Sequence, residues 1–236
     1  MKEYNHYLFD LYGTLVDIHT NEEAEMLWQH MNVLLAMHGV HTTSKKLQEL
    51  YLSEVTRQEE IAQKQRGPFA EIDIAAVFET FFTAHSVPIE PQIIEQLTRA
   101  FRVMSIEKLK LFPGVPALLQ RLHQQGKGVF LVSNAQALFT LPELSALNLT
   151  QYFDGIVISS EEGIKKPDPA IYHLTLERYN LEATKTVMVG NDDGADCWGA
   201  HHAGLDSMYI FTEQSPKRSN PLPPNCRQLS NISEVF

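Results

Sequence analysis

Four short stretches of this 236-residue chain carry side chains with chemical potential. The first is an apolar run, Tyr7 to Phe9, that ends on the carboxylate of Asp10 and continues into a Gly13-Thr14 turn. Such a run is typical of a buried parallel strand that delivers one acid to the carboxyl edge of a sheet, where ligands of open α/β folds bind. Gly13 lets the backbone approach a ligand, and Thr14 offers a hydroxyl and an N–H beside it. Taken alone, the stretch also fits a strand that ends in an ordinary turn.

The other three stretches lie at the ends of later elements. An apolar run ends on Ser133-Asn134, a lysine pair that includes Lys166 precedes Pro167, and a last apolar run leads into Asn191, Asp192, Asp193 and Asp196. Because the carboxyl ends of parallel strands meet at one edge of a sheet, we expect these side chains to converge on Asp10.

The set suits phosphoryl chemistry beside a hard cation. A phosphoryl group carries spread negative charge, which Ser and Asn donors, a lysine and backbone N–H groups bind. Two carboxylates at one point repel each other unless a cation lies between them. Asp10 and Asp192, with Asn191, offer the oxygen ligands that suit Mg²⁺. The cation would offset the repulsion between carboxylate and phosphate and let Asp10 attack phosphorus.

The pattern from residue 111 onward predicts the elements that position these groups. Apolar runs alternate with helical segments of about ten residues, which indicates a parallel sheet with helices on both faces. The expected strands lie at 7–9, 129–132, 156–158, 187–189 and 208–211. A helix is expected over 196–203, and the Ser-, Pro- and Asn-rich tail, 215–231, is expected to be irregular.

The segment 17–110 has a different character and predicts an all-α insertion. Helices are expected over 22–38, 47–64, 72–84 and 91–108, and no strand-like alternation interrupts them. In the first helix, the apolar positions near helical spacing are Met26, Val33, Leu34 and Met37. We therefore expect a small helical bundle standing over the edge where Asp10 emerges.

The composition of the chain excludes some classes of binding partner and cellular compartment. The 19 basic and 29 acidic residues give a formal net charge of −10, which disfavours nucleic acid or an anionic membrane as the main partner. Cys197 and Cys226 form no metal-binding or disulfide spacing, which indicates a reducing compartment. No leader pattern or long apolar span is present, so we expect a soluble cytoplasmic protein. The sequence leaves open whether it is a monomer or homodimer.

Read in order, the four stretches resemble the motifs of the haloacid dehalogenase superfamily. They are Phe9-Asp10-Leu11-Tyr12-Gly13-Thr14-Leu15, Leu131-Val132-Ser133-Asn134, Lys166-Pro167-Asp168-Pro169, and Val189-Gly190-Asn191-Asp192 through Asp196. Each motif alone is weak, but four in order on the right elements make a strong signal. The resemblance implies a Rossmann-like catalytic core formed by 1–16 and 111–236, and a helical cap domain formed by 17–110.

The resemblance also implies a role for each motif residue. Asp10 would be the nucleophile that forms a covalent aspartyl intermediate. Ser133 and Lys166 would hold the transferred group, with Asn134 behind Ser133. The metal set would be Asp10, the backbone carbonyl of Tyr12, and Asp192 or its neighbour Asn191. Asp196 would bind a metal-bound water or steady Lys166, and Thr14 would help to bind the phosphate.

Two departures from the phosphatase pattern leave an alternative open. Position 12, which usually carries a second Asp as general acid, carries Tyr12. A phenol with an ordinary pKa near ~10 can donate a proton but is poorly matched to taking it back near neutral pH. The Asp-x-Tyr-Gly-Thr pattern instead resembles the 2-haloacid dehalogenases, in which halide leaves without protonation and no metal is needed. The last motif reads Gly-Asn-Asp, which leaves its register open by one residue.

Two further observations favour the phosphatase. The dehalogenase activity implies an Arg early in the cap, but the first Arg after Asp10 is Arg57. The acidic cluster after Val189 also suits a cation better than a free carboxylate substrate. The sequence therefore predicts a Mg²⁺-dependent phosphatase of a small phosphorylated metabolite, with catalytic residues Asp10, Lys166 and Tyr12. The alternatives are a metal-independent 2-haloacid dehalogenase-like hydrolase and a weakly active relative that binds a ligand.

Overall fold

The computed structural model describes residues 2–218 and 221–236. Its strands, in chain order, are β1 (His6–Phe9), β2 (Val16–Thr20), β3 (Ile106–Leu111), β4 (Gly128–Ser133), β5 (Gly155–Ile158), β6 (Thr186–Gly190), β7 (Asp206–Ile210) and β8 (Cys226–Leu229). Six of them form one sheet in the order β5-β4-β1-β6-β7-β8, and every neighbouring pair is parallel. The predicted α/β fold with a Rossmann-like parallel sheet is confirmed.

The helices, in chain order, are α1 (Glu25–Met37), α2 (Ser44–Arg66), α3 (Ile74–Thr83), α4 (Pro91–Ser105), α5 (Val115–Gln124), α6 (Ala137–Ala146), α7 (Ser159–Glu162), α8 (Pro169–Arg178) and α9 (Gly199–His202). None of the helices in the described residues has the length and hydropathy needed to cross a membrane.

Alternation along the central strand explains why the sheet is covered on both faces. Tyr7 and Phe9 pack into a core cluster with α5, whereas Leu8 packs into a second cluster with α8 and α9. Because successive side chains of a strand point to opposite faces, the run Tyr7-Leu8-Phe9 serves both clusters. After β1 the chain builds β4 and β5 on one side and then returns to build β6 on the other. The strand order thus reverses at β1, which is where open α/β sheets bind ligands.

The four helices α1 to α4 form a cluster of their own, centred on Trp28, Phe78 and Phe101. The predicted face of the first helix was wrong in part. Met26, Val33 and Met37 are 66%, 60% and 77% exposed, and the buried face is formed by Leu27, Trp28, Met31 and Leu35. The apolar residues of α1 occupy more than one face, so spacing alone did not determine which face turns inward.

The expectation that 17–110 contains no strand was wrong. β2 and β3 pair antiparallel at the two ends of this segment, with Val16 opposite Leu111 and Asp17 opposite Lys110. The fourth helix accordingly ends at Ser105, not at residue 108. In β3 the apolar residues Ile106, Leu109 and Leu111 are partly buried and do not alternate regularly, and the run follows α4 without a turn residue between them.

Two expectations for the C-terminal region were also wrong. The tail is not wholly irregular, because Cys226–Leu229 forms β8 at the edge of the sheet. The helix expected over 196–203 begins earlier, as a π-helical segment, Asp193–Trp198, which leads directly into α9. This wider turn follows Asp192, whose side chain caps it.

Candidate active site

The carboxyl ends of the central strands bring the four motifs together. Asp10 follows β1, Ser133 ends β4, and Asn191 and Asp192 follow β6. Lys166 reaches the same point from the loop between α7 and α8. A cavity of about 180 Å³, called here the catalytic cavity, is lined by Asp10, Tyr12, Asn134, Lys166, Asn191, Asp192, Ala195, Asp196, Gln214 and Pro216.

Lys166 is the centre of this arrangement. Its ammonium donates to Asp10 Oδ1 at 2.8 Å, to Asp196 Oδ1 at 2.7 Å and to the Val132 carbonyl at 2.8 Å. The three acceptors match the three N–H donors of an ammonium group. A lysine buried this deeply stays charged only when paired, and here two carboxylates face it.

The buried charges change one another's pKa. Burial by itself would lower the pKa of Lys166, but Asp10 and Asp196 outweigh it, and the pKa lies above its ordinary value. Burial raises the pKa of Asp196, and the Asp10 charge adds to that rise, while the Lys166 ammonium opposes it. Asp196 also accepts from the Asp192 N–H at 3.0 Å, so both of its oxygens are engaged. Of its two implied roles, this geometry suits the steadying of Lys166.

Asn134 positions Lys166 through the backbone. The Asn134 side chain accepts from the Lys166 N–H at 2.7 Å and donates to the Lys166 carbonyl at 2.8 Å. The neighbouring Ser133 hydroxyl is buried and has no hydrogen-bond partner among the described residues. An unpartnered buried hydroxyl is costly, which suits a donor kept for a ligand at the end of β4, but Ser133 does not itself line the catalytic cavity.

The loop after β1 is closed by a ring of hydrogen bonds. Thr14 donates to Asp10 Oδ2 at 2.9 Å and contacts Asn191 Oδ1 at 3.2 Å. Asn191 in turn donates to the Thr212 hydroxyl at 3.4 Å, and Thr212 donates to the Gly13 carbonyl at 2.9 Å. Thr212 was missed by the sequence analysis, because it lies after the last motif and carries no charge.

Gly13 is required in this loop for two reasons, which gives a testable prediction. Its φ is +83°, and a Cβ placed there would lie 2.2 Å from Asn191 Nδ2. We expect Gly13→Ala to lower the free energy of unfolding by about 2–4 kcal/mol, since an unfavourable left-handed conformation is combined with a clash. Urea denaturation measures the change.

Gly204→Ala is a matched control for that prediction. Gly204 has a φ of +78°, but no atom lies within 4 Å of the position that its Cβ would take. This variant should therefore show the conformational cost alone, about 1 kcal/mol. Equal losses of stability in the two variants would contradict the close packing of Gly13 against Asn191.

Asp192 also lines the catalytic cavity. Its Oδ1 accepts from the Gly194 and Ala195 N–H groups, both at 2.8 Å, at the start of the π-helical segment. Among the described residues no group of three or more His, Cys, Asp or Glu side chains is arranged as a metal site. Mg²⁺ is commonly held by only one or two carboxylates and retains several waters, and Asp10, Tyr12 and Asp192 line the same cavity.

Gln214 is a second residue that the sequence analysis missed. It lines the catalytic cavity from the loop after β7, and its amide donates to Asp17 Oδ1 at 2.7 Å and to the Ile18 carbonyl at 2.8 Å. Gln214 thus ties the loop beside the cavity to β2, the strand that leads toward α1. Only the three-dimensional structure brings these segments together, because residue 17 and residue 214 are distant in the chain.

The Tyr12 hydroxyl is hydrogen-bonded to α6. It donates to Glu143 Oε2 at 2.5 Å and lies 3.1 Å from the Thr140 hydroxyl, both on α6. Burial, and then the Glu143 charge, raises the pKa of Tyr12 well above its ordinary value. Arg102 of α4 binds the other side of Glu143, with Nε 2.6 Å from Oε1. The Tyr12 phenol is therefore held protonated in a network that links the core to α4.

Proteins of related sequence are phosphatases by name. The chain is 29% identical over 149 residues to a ribulose-1,5-bisphosphate 5-phosphatase of Halopiger xanaduensis, covering 63% of this chain and 62% of that protein. It is 24% identical over 206 residues to a glyceraldehyde 3-phosphate phosphatase of Pyrococcus abyssi, covering 86% and 79%. It is 26% identical over 196 residues to a phosphoglycolate phosphatase of Yersinia pestis, covering 83% and 76%.

Solved structures of similar fold include both a dehalogenase and a phosphatase. A 2-haloacid dehalogenase from Pseudomonas syringae pv. Tomato DC3000 superposes with a TM-score of 0.67 at 19% identity, covering 100% of this chain and 96% of that one. A haloacid dehalogenase-type phosphatase from Thermococcus onnurineus gives a TM-score of 0.63 at 22% identity with the same coverage. At these identities the likeness shows the fold and does not distinguish the two activities.

The family model for haloacid dehalogenase-like hydrolases matches residues 4–204. This range contains β1, the helices α1 to α4 and all four motifs that converge on Lys166. The match agrees with the resemblance that the motifs indicated. The chain belongs to the haloacid dehalogenase-like hydrolase family.

Proposed function

We propose that the protein hydrolyses phosphate monoesters of small molecules, with Asp10 as the nucleophile. The observation that carries the proposal is the catalytic cavity, where Asp10 and Asp192 lie with the buried ammonium of Lys166. A second carboxylate beside the nucleophile suits a site that also takes a cation, and it disfavours a free carboxylate substrate at the same point. The phosphatase names of the relatives support the same activity.

The residues divide the reaction between them. An Asp10 oxygen attacks phosphorus and forms an aspartyl phosphate, while the ester P–O bond breaks and the leaving oxygen departs as an anion or takes a proton from the Tyr12 phenol or from water. Water then attacks phosphorus, which releases inorganic phosphate and restores the Asp10 carboxylate. The Lys166 ammonium, whose N–H groups are engaged, offsets the charge of the phosphoryl oxygens, the unpartnered Ser133 hydroxyl is the donor proposed to bind one of them, and Thr14 orients Asp10.

The proposed cofactor is Mg²⁺, held by the carboxylates of Asp10 and Asp192 and the carbonyl of Tyr12. When bound, it would offset the negative charge that the carboxylates and the phosphoryl group bring together. Asn191 is engaged with Thr14, and Asp196 is engaged with Lys166 and the Asp192 N–H. We therefore do not place these two residues among the direct ligands of the metal.

The weak acidity of Tyr12 affects how fast substrates with different leaving groups are hydrolysed. The phenol has a proton to donate, but its raised pKa and its bond to Glu143 make it a weak general acid. A leaving group that departs as a stable anion does not need that proton. We therefore expect an aryl phosphate to report the phosphoryl transfer even where the protonation of an alkyl leaving group is slow.

The proposed function is tested with p-nitrophenyl phosphate. We expect release of p-nitrophenol in the presence of Mg²⁺, loss of at least about 90% of the rate on removal of the metal with EDTA, and recovery when Mg²⁺ is restored. A rate that does not respond to the metal would overturn the proposed role of Mg²⁺. The absence of turnover with metal present would instead favour a relative that binds a ligand without hydrolysing it.

The runner-up is a metal-independent 2-haloacid dehalogenase, which the Tyr12 motif favours. It predicts release of chloride from 2-chloropropionate in the presence of EDTA. Our proposal predicts no chloride release above that of the Asp10→Asn variant. Chloride release that depends on Asp10 would establish the alternative.

We also propose that residues 17–110 act as a cap over a catalytic core formed by 1–16 and 111–236. The closeness of α4 to the site supports this arrangement, because Arg102 reaches Glu143 and the Tyr12 ring. A cap restricts the substrate to a small molecule. That the protein acts in the cytoplasm, as a monomer or a homodimer, stays a prediction.

A further inference from the structure

A second cavity adjoins the catalytic cavity and is lined in part by the guanidinium side chain of Arg102. The outer cavity, as we call it, has a volume of about 460 Å³ and shares Tyr12 and Asn134 with the catalytic cavity as walls. Its other lining includes Ile18 and His19 from β2, Phe139 from α6, and Arg102 from α4. The shared walls place it beside the phosphoryl site, where the rest of a substrate would lie.

Arg102 is held in a fixed position at the outer cavity. Its Nε donates to Glu143 Oε1 at 2.6 Å, and its Nη2 makes a longer contact with Oε2 at 3.4 Å. Its guanidinium carbon lies 5.5 Å from the Tyr12 ring centroid and 5.1 Å from that of Phe139. The side chain is only 13% exposed. An arginine fixed by a carboxylate and two rings loses little freedom on binding a ligand.

The same arginine has hydrogen-bond donors to spare. A guanidinium carries five N–H groups, and the bonds to Glu143 use only Nε and one N–H of Nη2. One further N–H group interacts with the Tyr12 hydroxyl, and the remaining two make no hydrogen bond to the residues that the structure describes. Because Arg102 lines the outer cavity, these donors are available to an anionic group bound there.

We propose that Arg102 binds a carboxylate on the leaving-group part of the substrate, so that the substrates are small phosphate monoesters that also carry a carboxylate. The inference rests on the proposed function and adds the substrate class. Glu143 already offsets much of the Arg102 charge. A singly charged carboxylate therefore fits better than a second phosphate, which would bring up to two negative charges next to Glu143.

The test compares two substrates that differ only in the group in question. D-3-phosphoglycerate carries a carboxylate where sn-glycerol 1-phosphate, the isomer of matching configuration, carries a hydroxymethyl group, and both release an alkyl oxygen. We expect kcat/KM to be at least about tenfold higher for the carboxylate, because a charged hydrogen bond of this kind is lost in the other. The ratio cancels any common limit set by Tyr12.

The variants separate recognition from folding. Arg102→Gln/Glu143→Gln replaces the ion pair by two amides, so no unpaired charge is left buried. We expect the substrate ratio to fall to about one in this double variant and to persist in Glu143→Gln, which keeps Arg102. Arg99→Gln is the matched control, because Arg99 is on the same helix, half exposed, and contacts Glu95 only across the helix surface.

The possible results of these experiments distinguish the role of Arg102 from the proposed function. A ratio near one in the wild type, or a ratio that survives in the double variant, overturns the role of Arg102 while p-nitrophenyl phosphate is still hydrolysed. A purely structural Arg102 would lower kcat/KM for both substrates equally and leave the ratio unchanged. Failure to hydrolyse p-nitrophenyl phosphate as well would count against the proposed function itself. A higher kcat/KM for glycerol 1,3-bisphosphate, which carries a phosphate group in place of the carboxylate, than for D-3-phosphoglycerate would overturn the preference for a carboxylate.

Discussion

Asp10→Asn is expected to reduce the turnover of p-nitrophenyl phosphate by at least about 10⁴-fold. Asparagine has nearly the same shape, and its single oxygen can still accept from one of the two donors that Asp10 engages, Lys166 or Thr14. It lacks the charge and nucleophilicity to form a bond to phosphorus. Steady-state kinetics with Mg²⁺ measures the loss, and circular dichroism verifies that the variant is folded.

Asp73→Asn is the control for that variant. Asp73 caps α3 by accepting from the Ala75 N–H at 2.9 Å, and asparagine serves equally well at that position. We expect wild-type activity from it. If Asp10→Asn kept more than about one per cent of the wild-type rate, phosphoryl transfer to Asp10 would be untenable.

Lys166→Met is expected to damage stability and activity together. Removal of the ammonium leaves the buried carboxylates of Asp10 and Asp196 without their shared cation. Breaking a buried ion pair in this way costs about 3–5 kcal/mol of unfolding free energy. We expect activity to fall by about 10³-fold, since the phosphoryl group also loses a positive charge. Urea denaturation and steady-state kinetics measure the two effects.

Lys165→Met separates the two neighbouring lysines. Lys165 is more exposed than Lys166, and of the two only Lys166 donates from its side chain to the site carboxylates. We expect a change in stability below about 0.5 kcal/mol and near-normal turnover. Comparable losses in both variants would contradict the assignment of the motif lysine to position 166.

The parallel core could be predicted from the sequence because each of its signals is local. The run Tyr7-Leu8-Phe9 is apolar at every position, as a strand covered on both faces must be, and it ends on Asp10. The convergence of Ser133, Lys166 and Asp192 then followed from the common direction of parallel strands. The fold and the closeness of these groups therefore needed no information beyond the pattern.

The strands β2, β3 and β8 could not be predicted with the same rules. β2 and β3 are partly exposed and pair with each other across 85 or more residues of intervening chain, as Thr20 does with Ile106. β8 is an edge strand with two exposed residues, Arg227 and Gln228, and its partner β7 directs the pairing. Such strands depend on tertiary partners more than on their own composition.

The polar network around Tyr12 also lay beyond sequence reasoning. Arg102, Glu143 and Tyr12 come from α4, α6 and the loop after β1, and no spacing in the chain connects them. The substitution at position 12 raised the question of the general acid. The structure adds that the phenol is bound to Glu143, the same carboxylate that Arg102 binds.

The central claim, that Asp10 carries the phosphoryl group, is tested most directly by chemical trapping. The enzyme is mixed with p-nitrophenyl phosphate and Mg²⁺, quenched, and treated with borohydride, which reduces an aspartyl phosphate to homoserine. We expect mass spectrometry of the peptide that contains position 10 to find homoserine there, and not in the Asp10→Asn variant. An unmodified Asp10 in enzyme quenched during rapid turnover, or homoserine at Asp192 instead, would contradict the account.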